Sequence, residues 1–433
     1  MISSLFGSST RVCLLFLFLV GFGRLTIIPS FLSAVNNTRL LVLIMFFIII
    51  SFGTQSNNVG IKNRTVKFYN IMMGLLAFFI VLNCYSCWYF RGQPPIETFR
   101  NWAPILILYL YYPFSKIEIN VKKWEEVLFV IFLFMLIAHI VQTIIPSWGL
   151  FPNDTSDEIF ENQFRVRLFS DTILFLGNIY CFNRSMIEKN NGRYRYLILF
   201  LVSLFFIFLM GFRTILFALL VVCFFIYVKI SKQKLKKTII TLCVSVPLVL
   251  YVTSLPIFQE RFEEIIERNS EQNFSNNDYV RVVMVNYYYS SYFKNNTEMI
   301  CGSGMVERLV GEKNSNYRSA YSKFVSENSI KFHFFPVDMG LIGLSWESGI
   351  PAAIILFLIC LYLAIHKQED KYIYVQAWGI FVMLMSFTTH FYYCHHNLLY
   401  TVLVWIIFSK FAHRTSLSNQ IKKECQLRKI AKS

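Results

Sequence analysis

Residues 196–228 read YLILFLVSLFFIFLMGFRTILFALLVVCFFIYV, 33 residues from Tyr196 to Val228 broken by one charge, Arg213. As a single helix this run would be about 50 Å long, against a bilayer hydrocarbon core of about 30 Å. It would also put Arg193 and Arg195 on one side of a membrane and the Lys232 to Lys237 cluster on the other. Basic connections are retained on the cytoplasmic side, so two spans folded at Gly211-Phe212-Arg213 are the better reading. Each arm then has about sixteen residues, which draws the tip below the outer surface.

The rest of the chain follows from that segment. Hydrophobic residues make up 55% of the 433 and Phe alone occurs 45 times, a composition foreign to soluble domains and expected of an integral membrane protein. The net charge of +16 sits in short clusters between apolar runs rather than along one face. That layout sets topology and gives no nucleic-acid surface. Most of the ten cysteines lie inside apolar runs. Cys84-Tyr-Ser-Cys87 has thioredoxin-like spacing but falls within a span, where packing is the better account. The apolar run Val12 to Val20 lacks an A-x-A-like cleavage site and reads as a retained first span.

The pattern predicts an all-α integral membrane protein with about 12 transmembrane helices, at 11–29, 39–53, 68–90, 102–114, 126–146, 168–183, 196–212, 213–229, 238–255, 338–365, 372–390 and 397–412. Residues 1–255 hold spans one to nine, 256–337 form one large outward-facing loop, 338–412 hold the last three spans, and 413–433 are a basic tail. Lys62, Arg64 and Lys67, the 184–195 and 229–237 connections and the tail all fall on one side, which the positive-inside rule makes cytoplasmic, with both termini. The loop then faces out. Within it, residues 257–268 and 279–293 carry apolar groups at helical spacing, and Asp278 is placed to cap the second helix.

Several polar residues on the outer side are candidates for chemistry. Arg213, an ionisable group in the longest apolar segment, could grip a phosphate oxygen bidentately; its alternative is a snorkelling anchor. Arg281, with Arg165 and Arg167 ahead of the sixth span, could make an anionic headgroup site, or each could simply be solvated. Gly302-Ser303-Gly304 is a weak phosphate-loop signal against a plain tight turn. His333 and Asp338 could supply a general base, or be an interfacial histidine and a helix N-cap. Glu347, beside Gly349 inside a span, is costly unless paired and suggests an arginine partner. His390, His395 and His396 lack a completing ligand set, which favours substrate or interface contacts over a metal. There is no Walker motif, no G-x-S-x-G and no H-E-x-x-H, so nucleotide-driven work and zinc proteolysis have no support.

Taken together, the Gly211-Phe212-Arg213 turn, the Arg-bearing loop helix, Cys301-Gly-Ser-Gly304 and the exit Asp338 to Ile350, with Glu347-Ser-Gly349-Ile350 matching E-x-G-I, resemble the O-antigen polymerase and O-antigen ligase superfamily over roughly residues 160 to 412. The resemblance implies a glycosyltransferase that needs no cofactor or metal and acts on undecaprenyl-diphosphate-linked oligosaccharides at the outer face of a bacterial inner membrane. It assigns Arg213 and Arg281 to the diphosphate and His333 or Asp338 to the acceptor hydroxyl. Arg165, Arg167, Gly302, Gly304, Glu347 and His396 become substrate contacts. Membrane lipid and a chain-length regulator are the implied partners, for a product in O-antigen, capsule or exopolysaccharide. Ligases usually carry a His-Asn pair at the loop exit where this chain has Phe335-Pro336-Val337-Asp338, which favours polymerase. A flippase-like transporter, or an acyltransferase or sensor with an outer ligand domain, are the competing readings. Against the transporter stand a single off-centre loop and no half-to-half symmetry.

Overall fold

A computed structural model describes residues 64–115, 120–145, 148, 172–209, 213–231, 285–286, 288–304, 339–387, 391–394 and 396–411. Every regular element among them is helical and none is a strand. Helix α1 (Arg64–Ser86) runs into a π turn (Cys87–Arg91), followed by α2 (Pro95–Asn101) and α3 (Ala103–Ser115). Next come α4 (Val121–Ile144), α5 (Thr172–Ile187), α6 (Asn191–Leu209) and α7 (Arg213–Ile230). A second π turn (Tyr288–Tyr292) precedes α8 (Asn296–Cys301). The chain continues through α9 (Leu341–Ser348), α10 (Ile350–Ile365), α11 (Ile373–Ser386) and α12 (His396–Phe411).

Helix α5 touches α4, α6, α7 and α11 and is buried on nearly all sides, the place expected of a helix without a strong polar face. α11 packs on α5, α7 and α10, and α12 is buried from His396 to Ser409. The α10–α11 approach is close because Gly379 has no side chain; a methyl group there would lie 2.6 Å from Ala364 N. Asn178 in α5 donates to Phe200 O (3.0 Å) and Ser203 Oγ (2.9 Å) of α6, which accounts for a polar residue in this apolar helix. α1, α4 and α6 are two-faced. α1 buries Tyr69, Met73, Leu76 and Ile80 and exposes Ile71, Leu75, Phe78 and Val81 at helical spacing. An outer face that is itself apolar suits hydrocarbon rather than water.

Among the described residues three helices are long and apolar enough to cross a membrane: Arg64–Arg91, Val121–Ile144 and Asn191–Phe208. Ala103–Ser115, Thr214–Ile230, Ile350–Ile365 and His396–Phe411 are apolar but shorter. These helices make the chain all-helical with apolar segments of membrane-crossing length; of the twelve expected crossings, 11–29, 39–53 and 238–255 lie outside the described residues. The apolar run read as two arms does form two helices, α6 and α7, on either side of residues 210–212. The segment 338–365, read as one span, is instead two helices broken at Gly349.

Candidate functional site

That break brings together three of the candidate residues, Gly302, Gly304 and Glu347. Gly349 has φ 91°, a conformation that L side chains rarely adopt, so the helix stops there. Pro351 lies in the first turn of α10, where a missing N–H costs nothing. A helix end leaves carbonyls without donors. Here Ser303 N–H donates to Trp346 O and Gly304 N–H to Glu347 O, each at 2.9 Å. The segments touch backbone to backbone, and a methyl group on Gly302 (φ 82°) would lie 2.5 Å from Glu347 O and meet Gly349 N.

α1 closes the junction from the side. Asn83, fully buried, donates from Nδ2 to Cys301 O (2.8 Å) and Glu347 O (2.7 Å), while its Oδ1 accepts from Trp102 Nε1 (3.0 Å). Ser86 Oγ donates to Gly302 O at 2.8 Å. One turn further on, Arg91 reaches the segment 288–304. Its Nε pairs with Glu298 Oε1 at 2.5 Å and its Nη2 donates to Tyr292 O at 2.7 Å. The guanidinium lies 4.1 Å from the centre of the Tyr292 ring. Glu298 Oε2 also accepts from Lys294 N, and the Asn295 side chain caps α8 through Glu298 N. Both π turns thus end on one pair, Arg91 and Tyr292. π turns are rare and collect at functional sites, so two meeting here mark the junction.

Tyr292 is the electrostatic centre. Burial pushes its hydroxyl up to about 12; the Arg91 charge and a hydrogen bond with Ser303 oppose that shift, while Glu298 and Glu347 add to it. Tyr288 stacks on Trp346 with centroids 3.9 Å apart and planes 12° apart, holding the second π turn over α9.

The sequence candidates fall on this frame unevenly. Gly302, Gly304 and Glu347 are brought together, with the amides of Ser303 and Gly304 already engaged by carbonyls. Glu347 is buried, and its charge is felt by Tyr292. His396 opens α12 and is buried; the next residue, Asn397, donates to Phe391 O and accepts from Thr172 Oγ1. Arg213 opens α7, and its side chain lies outside the described residues, as do Arg165, Arg167, Arg281, His333 and Asp338. Among the described residues no group of three or more His, Cys, Asp or Glu is placed to hold a metal ion. Sequence reasoning missed Asn83, Arg91, Tyr292 and Glu298. A polar residue in mid-span, as Asn83 is, was the available signal.

The chain matches no protein-family model and no curated protein.

Proposed function

We propose that the chain is a polymerase joining undecaprenyl-diphosphate-linked oligosaccharide repeat units at the outer face of a bacterial cytoplasmic membrane. One observation carries the reading. Cys301-Gly-Ser-Gly304 and Glu347-Ser-Gly349-Ile350, two of the short motifs that carry the resemblance to O-antigen polymerases and ligases, are joined by the hydrogen bond from Gly304 N–H to Glu347 O across the sequence. The exposed stripe of α1, which passes from Phe78 and Val81 to Tyr85, Trp88 and Tyr89, supports an aromatic belt on the same side as this junction.

In this reading the hydroxyl of the acceptor sugar attacks the anomeric carbon of the donor glycan. The bond from that carbon to the diphosphate oxygen breaks, and undecaprenyl diphosphate leaves with the bond electrons. Arg213 and Arg281 hold the diphosphate and offset the charge that develops on it. His333 or Asp338 takes the proton of the acceptor hydroxyl. The joined motifs serve as a frame, fixing the chain segments that precede and follow these residues in sequence.

The test is envelope glycan length on a gel, in a deletion strain carrying wild type, Arg213→Ala or Arg281→Ala, with membrane expression matched. The expected result is loss of the polymer ladder while a single repeat unit still reaches the surface. Loss of single units as well would point to export or ligation, and an intact ladder would remove both arginines from the site.

A further inference from the structure

At the opposite end of the helices from the broken-helix junction lies a cavity of about 430 Å³, lined among others by Lys122, Glu126, Arg184, Glu188, Tyr196 and Lys371. Its volume falls within the range of about 300–1,000 Å³ typical of small-ligand sites. The floor is tightly bonded: Arg184 Nη2 meets Glu125 Oε1 at 2.7 Å, and Tyr374 donates to the same oxygen at 3.0 Å. The rim is not. Lys122 and Glu126 are 3.9 Å apart and largely exposed, and Arg184 Nη1 stands 3.8 Å from Glu188, both beyond hydrogen-bonding distance. Lys371 lies over the Tyr372 ring at 5.4 Å. Arg184 is 5% exposed and lies 5.1 Å from the centre of the Tyr180 ring, and among the described residues its Nε has no hydrogen-bond acceptor.

A rim holding cations and carboxylates together suits a ligand that carries both signs of charge. The exposed face of α4 says where such a ligand comes from. Lys122 and Glu126 are followed on that face, at three- to four-residue spacing, by Val130, Phe134 and Ile137, all about half exposed. A charged rim that passes into an open apolar stripe matches a headgroup with its acyl chains below it. A water-soluble phosphate ester would have no use for the stripe.

We propose that this cavity binds the phosphoethanolamine headgroup of an inner-leaflet phospholipid, with the phosphate on Lys122, Lys371 and the Arg184 edge and the ammonium on Glu126 and Glu188. The three N–H donors of a primary ammonium match two carboxylates, which a quaternary choline could meet only by charge. Purely anionic headgroups face the same carboxylates as repulsion. The inference rests on the reading of α4 as a membrane span and not on polymerase activity.

The experiment is native mass spectrometry of the delipidated full-length protein, offered phosphatidylethanolamine, phosphatidylglycerol or phosphatidylcholine of one acyl composition. Phosphatidylethanolamine is expected to be retained about tenfold better than either of the others, about 1.4 kcal/mol. The combined Lys122→Ala, Glu126→Ala and Lys371→Ala variant should lose that preference, while Lys123→Ala, exposed on the same turn but outside the cavity lining, should keep it. Equal retention of the three lipids would overturn the proposal, as would an unchanged preference in the triple variant. Displacement of the lipid by millimolar glycerophosphoethanolamine would overturn the lipid assignment in favour of a soluble ligand. Release of the protein from membranes by alkaline carbonate would instead refute the membrane reading beneath it.

Discussion

Replacing Asn83 by Ala should loosen the segment 288–304 far more than one polar side chain in a helix would ordinarily suggest. Asn83 makes three hydrogen bonds, to Cys301 O, Glu347 O and Trp102 Nε1, from a fully buried position. Glu347 O keeps the Gly304 amide after the substitution, so its loss is modest. For Cys301 O and Trp102 Nε1, each buried group left without a partner costs about 1–3 kcal/mol. Together these put the expected cost at about 3 kcal/mol, concentrated where residues 301–304 meet α1 and α9. The assay is limited proteolysis of the segment 288–304 in detergent. Where opening is fast relative to cleavage, about 3 kcal/mol corresponds to roughly 150-fold faster cutting. Asn83→Asp, nearly the same shape, should be no better at pH 7, since a carboxylate would face two carbonyl oxygens. Its deficit should shrink on acidification, because a protonated carboxyl regains one donor. Cleavage of Asn83→Ala within twofold of wild type would refute the assignment of Asn83 as the tie.

Other outcomes follow from the same geometry. Arg91→Ala should cost about 3–5 kcal/mol by leaving Glu298 charged and buried, whereas Arg91→Met with Glu298→Leu should recover most of it; denaturation midpoints of the single and double variants decide this. Gly302→Ala should prevent stable packing, because its methyl group meets backbone, while Gly74→Ala, in open space within α1, should stabilise by about 0.5–1 kcal/mol. Midpoints of opposite sign are the check. His366, at the end of α10, stacks on Tyr362 at 4.2 Å, and burial holds its pKa below the usual value. Its neutral form is therefore the one the fold favours. That contribution is complete above about pH 6.5 and lost as pH falls through the lowered value, so His366→Phe should flatten the acid side of the stability profile between about pH 7 and 5.

How far the sequence carries can be judged from individual residues. Apolar runs located α1, α4, α6, α7, α11 and α12 to within a few residues, because the composition of a helix that meets lipid or a dry core is read directly from hydropathy. The fold of residues 196–228 into two helices was legible for the same reason, from length and charge. The break at Gly349 was not read, because Leu341 to Ile365 is apolar on both sides of it and a glycine in such a run is usually tolerated. Gly302, Gly304 and Glu347 could be singled out, but their meeting could not, since nothing local records a partner 43 residues away. Arg91 and Glu298 were invisible as a pair for a like reason: each looks like an ordinary surface charge until a π turn aims one at the other.

The mended helix end also bears on how the protein is made. Synthesis runs from the N-terminus, so Asn83, Ser86 and the Ser303 and Gly304 amides have all left the ribosome before Trp346 and Glu347 are added. Residues 341–349 therefore emerge into a mould that is already present, and α9 can stop at Gly349 because the donors for its last carbonyls are waiting. An order of elements that placed α9 ahead of its donors would send an open helix end into the bilayer, where unsatisfied backbone is least tolerated. Circular permutants that reverse this order should insert poorly even though every contact of the finished protein is still available to them.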